Sequence, residues 1–165
     1  EVGRRIAIID RDPQATASRA VSHLNANGLS KIEVVSSPKN HDVTFIDTAP
    51  RLDSPLGRSI AESSRVILVS SPSPADLWST QESRDYVLRH LAEGAKTAIL
   101  FNSVVKGARI SRDLEQLASH IQLPALKNCI IRRQSYQYAV LQGWTALKSQ
   151  EREEIKNAAL EIGTM

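Results

Sequence analysis

Cysteine is all but missing from this chain. Cys129 is the single one, which excludes a disulfide framework and any cysteine cluster for zinc or iron–sulfur. The four histidines, at 23, 41, 90 and 120, show no metal-ligand spacing. No apolar run approaches the ~18 residues of a membrane span, and no leader-type segment is visible. These absences together point to a reducing, cytoplasmic setting with no membrane partner. Glycine is scarce and dispersed. Its seven positions are 3, 28, 57, 94, 107, 143 and 163, and the closest pair, 94 and 107, is 13 apart. No glycine-rich loop able to cradle phosphate lies within these residues. Charge of neither sign dominates: 21 Lys and Arg against 18 Asp and Glu give +3, with a pI near 9.2. That balance permits a polyanion partner without demanding one. An apolar fraction of 41% and a charged fraction of 24% exclude disorder, and 165 residues suffice for one domain with a real core.

What is present is organised around His41–Pro50, HDVTFIDTAP. Val43, Phe45 and Ile46 are β-formers, and the run stops at Asp47-Thr48-Ala49-Pro50. It reads as a buried strand ending in an acid and a Pro-closed turn. Arg5–Asp10, RIAIID, repeats the design, followed by Arg11-Asp12-Pro13-Gln14. In an open parallel sheet, ligands sit beyond the carboxyl ends of the strands. Two strands ending in aspartate there suit a magnesium–nucleotide site, since magnesium takes oxygen ligands and keeps several waters. Acids also follow strands simply because they favour turns and helix N-caps.

The remaining elements alternate. Asp12 as N-cap and Pro13 at the first position predict a helix through Val21 and Leu24 to Gly28. Lys31–Ser36 predicts a short strand. A loop with Pro55 and Gly57 precedes a short helix near Ile60, and Arg65–Ser70 is a strong strand. Ser73, Pro74 and Asp76 form a capping pattern for a helix running towards Glu93 and Gly94. Thr97–Phe101 predicts a strand ending at Asn102, and Ser111 caps a helix with Leu114, Leu117, Ala118 and Ile121 on one face. Leu126–Ile131 predicts a last strand. A helix through Tyr136, Ala139 and Val140 ends at Gly143, and the final helix sets Ile155, Ala158, Ala159 and Ile162 on one stripe. Apolar strands alternating with helices predict an α/β fold with a mostly parallel sheet flanked by helices on both faces. No repeat or linker divides residues 1–165, so a single domain is expected.

The stretches IAIIDRDPQATAS, HDVTFIDTAP, RVILVSSPSPADLW, TAILFNSV and NCIIRRQSYQYAVLQGWTAL, in this order, resemble the ParA/MinD family of deviant Walker-type ATPases, especially the short ParA-type partition proteins. Together they cover nearly all of the chain. The resemblance implies a P-loop NTPase-like fold using ATP and Mg2+, an ATP-dependent homodimer, non-specific binding to nucleoid DNA, and a ParB-type or other centromere-binding partner. The family opens with a strand, a lysine-bearing glycine-rich loop and a helix, and that unit is absent here. Gly94-Ala95-Lys96-Thr97 precedes a strand, whereas such a loop must follow one. Glu1–Gly3 reads as the tail of a helix closed by glycine, so the missing unit is expected upstream of Glu1. Without it, the present residues alone would be inactive.

By resemblance, Asp12 stands near the attacking water and the magnesium, Asp47 holds magnesium through a water, and Thr48–Pro50 sense the γ-phosphate. Asn102, Ile131 and Arg132 match the adenine side, although a strand-end asparagine is equally a good turn residue and Arg132 stands where many relatives have proline. Arg132 and Arg133 match a region that supplies non-specific DNA contacts in relatives, and with Lys106, Arg109, Arg112 and Lys127, against Asp113 and Glu115, they form a basic cluster that reads as a phosphate-backbone footprint. A solvated basic face accounts for them equally well.

Three other roles compete. A MinD-like membrane ATPase would need a basic amphipathic terminal helix with bulky apolar residues. The terminal helix instead carries Glu151, Glu153, Glu154 and Glu161 against Arg152 and Lys156. A non-catalytic DNA- or partner-binding relative fits the missing loop. An ATPase of conjugative transfer would look the same in fold and motifs.

Overall fold

A computed structural model describes residues 3–109 and 113–165. They gather into two compact units, one formed by the residues up to Ser59 with Gln134–Leu147, the other by Ile60–Arg133 with Lys148–Met165. The architecture is α/β, and every strand pairing among the described residues is parallel.

The first unit holds a three-stranded sheet in the order β2 (Glu33–Val34), β1 (Ile6–Asp10), β3 (Val43–Asp47). β1 buries alternate residues, with Ala7 and Ile9 inward. β2 is shorter than Lys31–Ser36. β3 ends at Asp47 as expected but is not a buried strand, since Phe45 is 55% exposed. Helix α1 (Thr16–Ala26) begins three residues after Pro13, with Ala15 in the left-handed region at its N-cap. Asp12 does not cap it. Its Oδ1 accepts from Gln14 N–H, and its carbonyl accepts from Ala15 N–H, so Asp12 builds a turn instead. The helix closes in a Schellman motif. Gly28, at φ +69°, donates to the Asn25 carbonyl, and Leu29 donates to that of Leu24. Helix α2 (Ser54–Ala61) takes in Pro55 and Gly57, which had read as loop. Asp53 explains the earlier start: its carboxylate accepts from Leu56 N–H, and its carbonyl from Gly57 N–H. Helix α5 (Ser135–Gln142), ended at Gly143, also belongs to this unit.

The second unit holds β4 (Arg65–Ser70) beside β5 (Lys96–Phe101). Its core includes Ile99, Phe101, Val87, Ala118, Ile121 and Ala158. Helix α3 (Pro74–His90) starts as its capping residues dictate: the Ser73 hydroxyl accepts from Asp76 N–H, and Pro74 occupies the first turn. It stops at His90, short of Glu93. Helix α4 spans Leu114–Ile121, while its expected cap, Ser111, and Arg112 of the basic cluster lie outside the described residues.

Leu126–Ile131 is not a strand. It runs beside β5 without forming a continuous ladder: Leu126 N–H donates to the Ile99 carbonyl and Ile130 N–H to that of Phe101, with isolated bridges at Ala125–Ile99 and, just beyond β5, Ile131–Val104. The reason lies in α6 (Ser149–Thr164). Glu161 accepts from the N–H groups of Lys127 and Asn128, at 2.7 and 3.0 Å, and from the Asn128 side-chain amide at 2.7 Å. Glu154 accepts from Ile131 N–H at 2.6 Å. Three backbone donors of the segment are thus held by carboxylates rather than left for a regular ladder. No helix among the described residues is long and apolar enough to cross a membrane.

Candidate functional site

The parallel pairing of β1 with β3 sets Asp10 directly beside Asp47 in register. The ladder continues one step further, Arg11 N–H donating to the Asp47 carbonyl at 2.8 Å. Two short loops therefore leave the sheet together, one carrying Asp12, the other Thr48–Asp53.

The aspartates do different work. Asp10 is occupied with structure: one oxygen accepts from Asp12 N–H at 3.0 Å, the other from Ser18 N–H at 2.8 Å, in the first turn of α1. These bonds, the one from Ser18 foremost, hold its carboxyl below the ordinary range. Asp10 is thus the remote cap of α1 that Asp12 was expected to be. Asp47 behaves oppositely. Partial desolvation of its carboxyl raises its pKa first, the negative charge of Asp10 next, and Asp12 adds to this. A bound cation would offset that repulsion. Among the described residues no three His, Cys, Asp or Glu side chains form a metal cage. Magnesium at a phosphate site needs none, since one or two carboxylates, waters and phosphate oxygens suffice. The triphosphate is a different matter. With no glycine-rich loop in the chain, the present residues do not fit it by themselves.

Between the two loops lies a cavity of about 90 Å3, lined by Arg11, Thr48, Arg51, Asp53, Leu56 and Ser59, among others. The Arg11 guanidinium donates to the Ser59 hydroxyl at 2.7 Å, and Ser59 donates to the Pro55 carbonyl at 2.9 Å. Sequence reading passed over both Arg11 and Ser59, because no periodicity or motif marks either one.

The remaining candidates belong to the second unit. Asn102 N–H donates to the Ser70 carbonyl, and its own Oδ1 accepts from Ser103 N–H, the geometry of a strand-end turn. Val104 lies between the Ile130 carbonyl and Arg132 N–H, so the loop carrying Asn102, Lys106 and Arg109 runs beside Ile131 and Arg132. Lys106, Arg109 and Arg132 are exposed. Arg133 is not: its guanidinium donates to Glu154 at 2.8 Å and is mostly covered. Glu154 and Glu161, seven apart on one helix face, had counted only as charge against a membrane helix.

No family model matches the sequence, and no curated protein matches it. Solved structures do. The MinD cell division protein of Aquifex aeolicus superposes with a TM-score of 0.71 at 10% identity, over 98% of this chain and 85% of that one. A plasmid partition protein from Borrelia burgdorferi gives 0.67 at 13% identity, over 99% and 87%. A ParA-family ATPase from Chlorobium tepidum gives 0.65 at 17%, over 97% and 86%. The parallel α/β architecture is thus the fold of the MinD and ParA ATPases.

Proposed function

We propose that this chain forms most of a ParA-type partition ATPase, a Mg-ATP-dependent switch that dimerises, binds DNA without sequence preference, and segregates plasmid or chromosomal DNA with a partner protein. One observation carries the reading: β1 and β3 end in register, so that Asp12 and Asp47 leave the same sheet edge on adjacent loops. Asp47 would hold magnesium, which neutralises phosphate charge when bound. Asp12 would orient the attacking water. The phosphate loop would come from a segment outside these residues. The exposed Lys106, Arg109 and Arg132 would contact DNA phosphates, while Asn102, Ile131 and Arg132 border the adenine. A second reading, a binding module without catalysis, draws on the missing glycine-rich loop.

The test uses the intact gene product. Asp47→Ala weakens Mg-ATP binding at least tenfold, whereas Asp12→Ala spares binding and stops turnover. A product that binds no ATP removes the enzyme reading and leaves the binding module. Normal turnover in Asp12→Ala takes that residue out of the site.

A further inference from the structure

A side chain from the loop after β1 reaches the helix that follows the loop after β3. Arg11 is fixed at its backbone, where its N–H joins the Asp47 carbonyl, and at its guanidinium, which reaches Ser59 in α2. Ser59 is 4% exposed and bound in turn to the Pro55 carbonyl, so the guanidinium is anchored on a buried hydroxyl of the helix. Asp12 follows Arg11 directly, and the Thr48–Asp53 loop leads directly into α2. Arg11 and Ser59 both line the cavity that separates these loops.

We propose that Arg11 is a positioning residue: its hydrogen bond to Ser59 ties the Asp12 loop to the helix that follows the Asp47 loop, so that the two loops move as one. A guanidinium suits this role because it stays charged and its planar fork loses little freedom per bond formed. Movement of α2, such as nucleotide or a partner would cause at Thr48–Pro50, then carries Asp12 with it. The catalytic consequence rests on the function proposed above, but the mechanical link does not.

Two measurements separate them. The first is deuterium uptake in the intact protein without nucleotide. Arg11→Gln and Ser59→Ala each raise exchange across residues 48–61 and 10–15, and the double variant raises it by less than the sum of the two, because the Arg11–Ser59 bond is lost in both. The second is steady-state ATP hydrolysis. Each single variant lowers kcat at least tenfold with KM changed less than threefold, and Arg11→Lys recovers part of the rate by keeping a cationic donor. Uptake that is unchanged, or strictly additive in the double variant, overturns the link. Raised uptake in a protein that hydrolyses no ATP sustains the link while refuting the ATPase reading. Raised uptake with undiminished kcat in an active ATPase refutes the positioning role.

Discussion

Glu161 offers a direct test of how the second unit holds its Lys127–Ile131 segment. The carboxylate accepts three N–H donors, from Lys127, Asn128 and the Asn128 side chain. In Glu161→Gln one of the two oxygens becomes an amide NH2 group. Even the better amide orientation sets that NH2 against Lys127 N–H, leaving this donor without its acceptor, and the two bonds to Asn128 lose their charge assistance. An orphaned donor costs about 1–3 kcal/mol, and hydrogen bonds to charged groups are worth about 1 kcal/mol more than neutral ones. Because the site is partly solvated, a net loss of about 2–3 kcal/mol is expected. For a chain of this size that lowers Tm by about 4–12 °C. The pH dependence is specific. Burial pushes the Glu161 carboxyl up, but the N–H bonds outweigh it and hold the folded pKa below the ordinary 4.5. The stabilisation is therefore complete above the unfolded value and is lost as pH falls through the folded one. Thermal melts of both proteins at pH 7, repeated stepwise down to pH 3, provide the measurement. A difference under about 1 °C at pH 7 would show that water replaces the carboxylate at little cost. A difference that does not shrink as pH falls through the titration of the Glu161 carboxyl would show that the charge is irrelevant.

Two further predictions follow from the charges. Asp47 has its folded pKa above the unfolded 3.8, so its ionisation costs stability as pH rises through the folded value. Asp47→Asn should thus slightly stabilise the metal-free protein at pH 7, by under about 1 kcal/mol after screening, with no gain at pH 3 and with weaker magnesium binding. Melts with and without magnesium measure both, and destabilisation at pH 7 would contradict the assignment. For DNA, Arg132→Ala with Lys106→Ala should weaken binding to unrelated duplexes by similar factors and shrink the slope of log K against log salt by up to about 0.9 per lost contact. Arg133→Ala should instead act on stability, since its guanidinium is committed to Glu154; a larger loss of salt slope from Arg133 than from Arg132 would reverse that ranking.

Local rules decided a good deal of this protein in advance. Arg65–Ser70 is a strand over the whole stretch read as one, because a run of β-branched residues between turn residues has no competing structure. Ser73, Pro74 and Asp76 set the start of α3 through bonds within four residues of each other. β1 and β3 end on their aspartates for the same local reason, and their order along the chain was enough to suggest a MinD- and ParA-like fold. Choices that depended on competition between distant groups were settled only in three dimensions. Asp10 and Asp12 are equally good caps by type, yet Asp10 reaches Ser18 because the β1 exit aims it there, leaving Asp12 to form the turn. Leu126–Ile131 has strand composition, but Glu161 and Glu154, 34 and 23 residues from Lys127 and Ile131, take three of its amides. Arg133 and Arg132 are neighbours of identical chemistry, and only the position of α6 makes one an ion-pair partner and leaves the other exposed. Composition and periodicity report what each residue prefers, whereas a hydrogen-bond donor or a charge goes to whichever partner the fold brings within 3 Å.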